Sequence, residues 1–175
     1  MSNGSTTTVS PPQPSPPQHF IAGQFTPSQS GAEFEVVNPA TEELTIMAAR
    51  GQAADINLAV KAAKDAFDDG AWSRAKPEFR RKILFKAADL MEARAEEIIK
   101  LQSLEMGAPI GPDHAGVHPM VNRSAWNFRF FAEEQELAGN HAFNRDDSLM
   151  TYTMSDPAGV FGLITHWNGP FMLST

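Results

Sequence analysis

The chain has no cysteine. That absence removes disulfides, thiolate metal sites and any cysteine nucleophile from its 175 residues. Basic side chains are scarce: 14 lysines and arginines stand against 21 aspartates and glutamates, for a net charge of -7. Phosphate backbones want a basic face, so nucleic acid is excluded as the main partner. No run of about 18 apolar residues occurs, so no membrane partner or spanning helix is expected. Three glycine signatures are also missing: G-x-G-x-x-G, G-x-x-x-x-G-K-S/T and G-x-S-x-G. Gly159 and Gly162 are three apart, which is too sparse for a phosphate loop. They read instead as places where other backbone packs close.

The first seventeen residues, "MSNGSTTTVSPPQPSPP", lack charge and almost all apolar side chains, and they hold five prolines. Such a segment cannot bury enough surface to offset its ordering entropy, so residues 1–17 are expected to be a disordered tail. The tail has neither the apolar core of a secretory signal nor the arginines of a mitochondrial presequence, which leaves the cytoplasm as the expected location.

The chain as a whole is 42% hydrophobic, enough for one ordinary domain with a core. "HFIAGQF" predicts two short strands around Gly23. In "AEFEVVNPATEELTIMAAR", Phe34 and Val36 share one side of a strand, Leu44 and Ile46 one side of the next, and Pro39 suits the turn between. Helical spacing follows. Ile56, Ala59, Val60, Ala63 and Phe67 make one apolar face, stopped at Gly70. A single long helix is predicted from Glu78 to about Glu105, on a stripe of Ile83, Ala87, Leu90, Met91, Ala95, Ile98, Leu101 and Leu104. Gly107 and Pro109 end it. A third helix, from about Met120 to Leu137, carries Val121, Ala125, Phe128, Ala132 and Gln135, widened by Trp126 and Phe130. Ser148 to Asp156 alternates like an exposed strand, and Val160 to Thr165 is apolar like a buried one.

Few constellations carry chemistry. His114 and His118 have the spacing of zinc ligands on a helix, but Ala115 stands where a metalloprotease needs glutamate. The surrounding glycines and prolines favour plain loop histidines, so no metal is expected. "NRSAWNFRFF" could stack bases, yet the acidic balance favours a broad buried helix face. Asn168, in "ITHWNGP", lies beyond the carboxyl end of the apolar run, where ligands bind in open α/β sheets. Pro170 suits a first helical position. Spacing leaves two roles open for Asn168: a ligand-facing amide, or the cap of the following helix.

Several segments, in order, resemble the NAD(P)-dependent aldehyde dehydrogenase superfamily. "VVNPATEE", "LAVKAAKDAFDDGAWS", "RRKILFKAADLMEARAEEIIKLQSLEMGAP", "NFRFFA" and "YTMSDPAGVFGLITHWNGPFML" match its motifs over about residues 19 to 175. "NFRFFAEE" and the last segment look nearest the semialdehyde dehydrogenases of aromatic-acid catabolism. The resemblance implies an α/β fold: the amino-terminal helices and hairpins, with only the start of a Rossmann-like sheet. It divides the chain into residues 18–147 (hairpins and three helices), 148–157 (a strand of the kind that joins subunits) and 158–175 (the truncated start of a cofactor-binding unit).

The same resemblance implies NAD or NADP as cofactor, a small-molecule aldehyde as substrate and a homo-oligomer at full length. It gives Asn168 a catalytic role, donating to the oxyanion formed when a thiolate attacks the aldehyde. It sets Ile164, Thr165, His166, Trp167 and Asn168 along the cofactor. The thiolate and the glutamate base of the family have no match here, so the expectation is an amino-terminal fragment, inactive alone. Three departures stand out: His166 replaces a customary proline, Gly169 a bulky apolar residue, and Glu42 a turn glycine. They are expected to loosen the loop, to remove packing beside Asn168 and to shift the turn type. The alternative reading is a non-catalytic helical module that binds a partner through its apolar faces.

Overall fold

Two residues with positive φ, Ala22 (52°) and Gly23 (79°), reverse the chain between β1 (His19–Ile21) and β2 (Gln24–Thr26). Two left-handed residues in a row give the turn a twist that matches its strands. Phe20 pairs with Phe25 across the ladder, with ring centroids 5.1 Å apart. The computed structural model describes residues 17–111 and 117–175. The proposed tail, apart from Pro17, therefore lies outside the described residues, and so does His114.

The second hairpin joins β3 (Glu33–Val37) and β4 (Leu44–Ala49) in antiparallel register, Val36 opposite Ile46, with a register shift between Val36 and Val37. Asn38 builds the turn. Its Oδ1 accepts from Ala40 N at 2.9 Å, and its carbonyl accepts from Glu42 N at 2.8 Å. Glu42 itself takes φ 60°. The turn thus retains a left-handed residue where glycine is customary, and the substitution is felt as backbone strain.

Helix α1 (Ala53–Asp69) is tied through Asp55 to Ser28 and Gln29, in the segment between the two hairpins. This buried carboxylate accepts from Ser28 Oγ, Gln29 N and Gln52 N at 3.1, 2.8 and 2.9 Å. Those backbone donors hold it below the usual carboxylate range. Gly70 closes the helix in the left-handed region, and Arg74 Nη2 donates to the Asp68 and Asp69 carbonyls. Of the expected apolar face, Ile56, Val60 and Ala63 lie open to solvent, and Ala59 and Phe67 are half-buried.

The predicted long helix is two helices, α2 (Pro77–Ala93) and α3 (Ala95–Met106). Arg94 bends the chain between them at φ -109°, ψ 14°. The ladder nearly continues, since Arg94 N donates to Leu90 O and Ile98 N to Arg94 O. Neither glycine nor proline marks the bend. Packing does: α2 lies along α4 (Val117–Leu137), while α3 turns to place Ile99 against Val117 and Val121. The buried face is also offset from the expected stripe. Ala88, Ile99 and Gln102 are buried, whereas Ile83, Leu90 and Leu104 are exposed.

Ala88, Ala125 and Ala132 are all buried, and such small side chains let helices approach closely. Arg129 then bridges the pair, donating to Asp89 and to both oxygens of Glu92 at 2.5–2.8 Å. It holds the Glu92 carboxyl below the usual range. The α4 stripe is as expected, with Val121, Ala125 and Ala132 buried and Phe128 and Gln135 half-buried. Trp126 and Phe130 are not part of a buried face. They stack on each other at 5.0 Å in the open, and Arg123 sits over the Trp126 ring. Helix α4 begins at Val117, so His118 belongs to a helix and not a loop. Pro119 falls in the first turn, where a missing N–H has no intrahelical partner to lose.

The last third is open. Strand β5 (Ala142–Asp146) pairs antiparallel with β6 (Leu149–Tyr152), and every residue of both is exposed. The strand expected over Ser148 to Asp156 is therefore shorter, and β5 is an addition to the expected elements. From Val160 to Thr165 there is no ladder, and the side chains are exposed. The expected buried strand is not formed within this chain, because no described strand lies beside it. A four-residue helix, α5 (Pro170–Leu173), completes the structure. No described helix is long and apolar enough to cross a membrane.

Gly107 joins two of these parts. It caps α3 at φ 66°, and a Cβ there would lie 2.8 Å from Pro39 Cγ and 3.0 Å from Ala40 N, in the turn of the second hairpin. Gly107→Ala is expected to destabilise the chain by about 1–2 kcal/mol from backbone conformation, with steric overlap added. Urea unfolding measures this; an unchanged midpoint would show that the turn and α3 are not in contact.

Candidate functional site

Gly169, Pro170 and Phe171 decide where the candidate amide sits. Pro170 is the first residue of α5, where its fixed φ suits a helix and its absent N–H costs nothing. Phe171 packs against the Ile99, Val117 and Val121 cluster. Gly169 is the N-cap residue, and its carbonyl accepts from Leu173 N at 3.0 Å. Its φ of -163° is extended backbone open to any residue. A Cβ at Gly169 would meet Met120 Sδ, Met172 Cε and Leu173 Cδ1 at ordinary contact distance, 3.7 Å each. Two thioethers and a leucine thus close around the position. These flexible apolar neighbours pack about Gly169, while the Asn168 side chain beside it stays exposed.

The residue before this cap is Asn168. Because Gly169 is the N-cap and no side chain caps α5, the helix-cap role left open by spacing does not apply to Asn168. Its side chain is exposed and meets one partner: Oδ1 lies in hydrogen-bond contact with His166 Nδ1. Of the five residues proposed from the resemblance, the structure brings these two together. Ile164 is fully exposed at 101% and Trp167 is 58% exposed. Thr165 is exposed as well. They follow one another on a run without regular structure, so their side chains line no enclosed pocket.

Beyond α5, Asn127 Nδ2 donates toward Thr175 O and Oγ1 at 3.5 and 3.4 Å, tying the helix end to α4. An apolar cleft of 390 Å³ separates α3 from α5, between Leu101, Phe171 and Pro170. Burial in it pushes the Glu105 carboxyl up, and Gln102 Oε1 is buried there without a partner among the described residues. Asn168 is not part of that cleft. Sequence reasoning missed Met120 and Phe171, which support Gly169 and α5. Phe171 carried a signal, as an aromatic one residue inside a proline-started helix. Met120 carried none, because its partner is about 50 residues away.

This arrangement offers an amide donor, the His166 imidazole beside it and an open apolar and aromatic surface, but no cysteine nucleophile. Among the described residues no group of three or more histidines, aspartates or glutamates is placed to hold a metal.

Comparison with known proteins bears on the rest. Residues 25–175 match the sequence model of the aldehyde dehydrogenase family. Aldehyde dehydrogenase 1 of Tanacetum cinerariifolium is 40% identical over 154 residues, which are 88% of this chain and 30% of that protein. The putative aldehyde dehydrogenase DhaS of Bacillus subtilis is 36% identical over 89% of this chain and 31% of its own length. Among solved structures, HpcC from Thermus thermophilus superposes with a TM-score of 0.84 at 40% identity, covering 91% of this chain and 30% of HpcC. The indole-3-acetaldehyde dehydrogenase AldA of P. syringae, solved with NAD+, gives 0.80 at 31% identity, over 89% of this chain and 31% of AldA. The chain therefore spans less than a third of the length of these relatives.

Since Asn168 caps nothing, Asn168→Ala is expected to leave the stability of the chain within about 0.5 kcal/mol. Thermal or urea unfolding checks this. A loss of about 1 kcal/mol or more would restore the capping role.

Proposed function

The chain belongs to the aldehyde dehydrogenase family, and we propose that it supplies the amino-terminal part of an NAD- or NADP-dependent enzyme oxidising an aldehyde or semialdehyde to a carboxylic acid. The observation that carries this reading is the placement of Asn168. It is exposed, free of any capping duty, and held at the start of α5 by a helix whose own seat is buried.

The residues present fit part of a dinucleotide site. Ile164 and Trp167 leave apolar and aromatic surface uncovered, of the kind a flat cofactor ring would cover. Ile164, Thr165, His166 and Trp167 would lie along it. When bound, the dinucleotide supplies the hydride acceptor. This chain's contribution to the chemistry is the Asn168 amide. A thiolate outside these residues attacks the aldehyde carbon, and the carbonyl oxygen takes up negative charge. A preorganised Nδ2–H aimed at that oxygen stabilises it most where water is excluded.

The reading extends to the β5–β6 hairpin as the element that joins subunits. All nine of its strand residues are exposed, including Phe143, Met150 and Tyr152. An isolated two-stranded ribbon with apolar side chains in water is marginal by itself, and further strands would satisfy it. The non-catalytic helical module remains the second reading, favoured by the open stripe of Ile56 and Val60 on α1.

Without a cysteine the isolated chain is expected to oxidise no aldehyde; NADH absorbance with an aldehyde panel checks this, and turnover surviving repurification would contradict it. In a full-length chain carrying this segment, Asn168→Ala should lower kcat by roughly 10²–10³, about 2.7–4 kcal/mol of transition-state stabilisation. Asn168→Asp should be worse, since its charge repels the oxyanion. A folded, cofactor-binding Asn168→Asp enzyme with normal turnover would overturn the catalytic reading.

A further inference from the structure

We propose that the cleft beside Arg80 is a binding site for a small monocarboxylate with an apolar or aromatic body. The guanidinium receives the carboxylate, and the body lies against Trp72 and Phe67. The inference goes beyond the proposed oxidation and does not involve Asn168.

The cleft has a volume of 540 Å³ and lies between the turn joining α1 to α2, the end of α4 and the Ser155–Gly159 segment. Small-molecule sites of this size combine apolar walls with a few fixed polar groups. Arg80 is the one cation among the lining residues. It is half-buried and held in place: Nε donates to Gln135 Oε1 at 2.8 Å, and Nη1 to the Ala75 carbonyl at 2.7 Å. Both acceptors are neutral. Among the described residues Arg80 has no ion pair, and its Nη2 has no acceptor. Arg129 differs, since Asp89 and Glu92 both meet its charge. A guanidinium drawn partly out of water without a counter-charge is unfavourable, and an anion that accepts from it relieves the cost.

The walls narrow the class of anion. A second cleft, of 360 Å³, is lined by Ala63, Ala66, Val160 and Phe161, and it shares Phe67, Trp72, Ser73 and Gly159 with the first. The combined groove is polar at Arg80 and apolar beyond Trp72, which suits a ligand charged at one end only. The segment along one side is anchored, because Asn140 Oδ1 accepts from Ser155 N at 3.1 Å. Asp156, the one carboxylate that lines the cleft, is exposed and forms no ion pair with Arg80. Its charge repels a phosphate, with about two negative charges, more than it repels a monoanion. A carboxylate is also planar and matches the fork of a guanidinium.

Titrating the nitrogen-15-labelled 175-residue chain with 3-phenylpropionate at low salt tests the proposal. The expected result is saturable shifts of the Arg80 Nε–H and Trp72 indole N–H resonances. The alcohol 3-phenylpropan-1-ol, which lacks the carboxylate, should bind about tenfold more weakly or worse. Inorganic phosphate, which lacks the apolar body, should also be about tenfold weaker. Arg80→Gln should weaken 3-phenylpropionate about tenfold, the effect of losing a charge-assisted hydrogen bond. Arg80 also anchors Gln135, so a second variant leaves that contact alone. Asp156→Asn removes an exposed, unpaired negative charge and should tighten 3-phenylpropionate about two- to threefold, a gain that shrinks in about 0.5 M salt. No saturable shift at Arg80 and Trp72 would overturn the proposal. So would an alcohol or a phosphate that binds as tightly as 3-phenylpropionate, or an affinity that Asp156→Asn leaves unchanged or lowers.

Discussion

The packing of Phe171 against Ile99, Val117 and Val121 is the contact on which the candidate site depends. From Val160 to Asn168 the chain joins no ladder and lies largely exposed. Its position is set by where α5 begins, and a four-residue helix has too few internal bonds to persist unaided. Tertiary burial must hold it. Phe171 supplies that burial, Pro170 fixes the entry, and the Met120, Met172 and Leu173 side chains close over Gly169. Asn168 is thus placed by residues that are themselves remote from any chemistry.

That contact in turn needs the bend at Arg94. Helix α2 lies along α4, with Ala88 buried and Arg129 reaching across to Asp89 and Glu92. The bridge is mostly exposed on its acidic side, so it is worth about 1 kcal/mol at most and chiefly fixes register. A straight continuation of α2 would carry the same face onward. The bend at Arg94 rotates α3 so that Ile99 and Gln102 become the buried positions and meet the other end of α4. Gly107 then lets the end of α3 close on Pro39 and Ala40. One layer of helices therefore carries the second hairpin on one end of α3 and α5 along its side.

Local chemistry was legible in the sequence. The turns at Gly23 and at Asn38 to Glu43, the stop at Gly70 and the α4 stripe are as expected, because each depends on residues within a few positions. The bend at Arg94 was not, since its cause is the position of Val117 and Val121 and not any residue beside it. Strand β5 escaped notice because "AFNRD" has no alternation; its pairing with β6 supplies what its pattern lacks. For the site, Asn168 was found through resemblance and through its place before Pro170. Its contact with His166 was not, because spacing does not say which ring nitrogen faces which amide end.

The largest disagreement between pattern and structure is also the most instructive. Val160 to Thr165 has the composition of a strand buried on both faces, yet Phe161, Leu163 and Ile164 are 73%, 75% and 101% exposed. Burying three such side chains would stabilise the chain by roughly 5–9 kcal/mol at about 1.5–3 each. That is comparable to the whole stability of a small domain. A folded chain does not forgo so much without reason. The α1 stripe and the β5–β6 ribbon show the same excess of open apolar surface. A hydrophobic pattern records the surroundings for which a segment was selected, and periodicity cannot say whether those surroundings lie in the same 175 residues. In this chain the turn chemistry reports what folds locally. The exposed apolar runs report what the fold is shaped to meet, and Asn168 stands at the end of the most exposed of them.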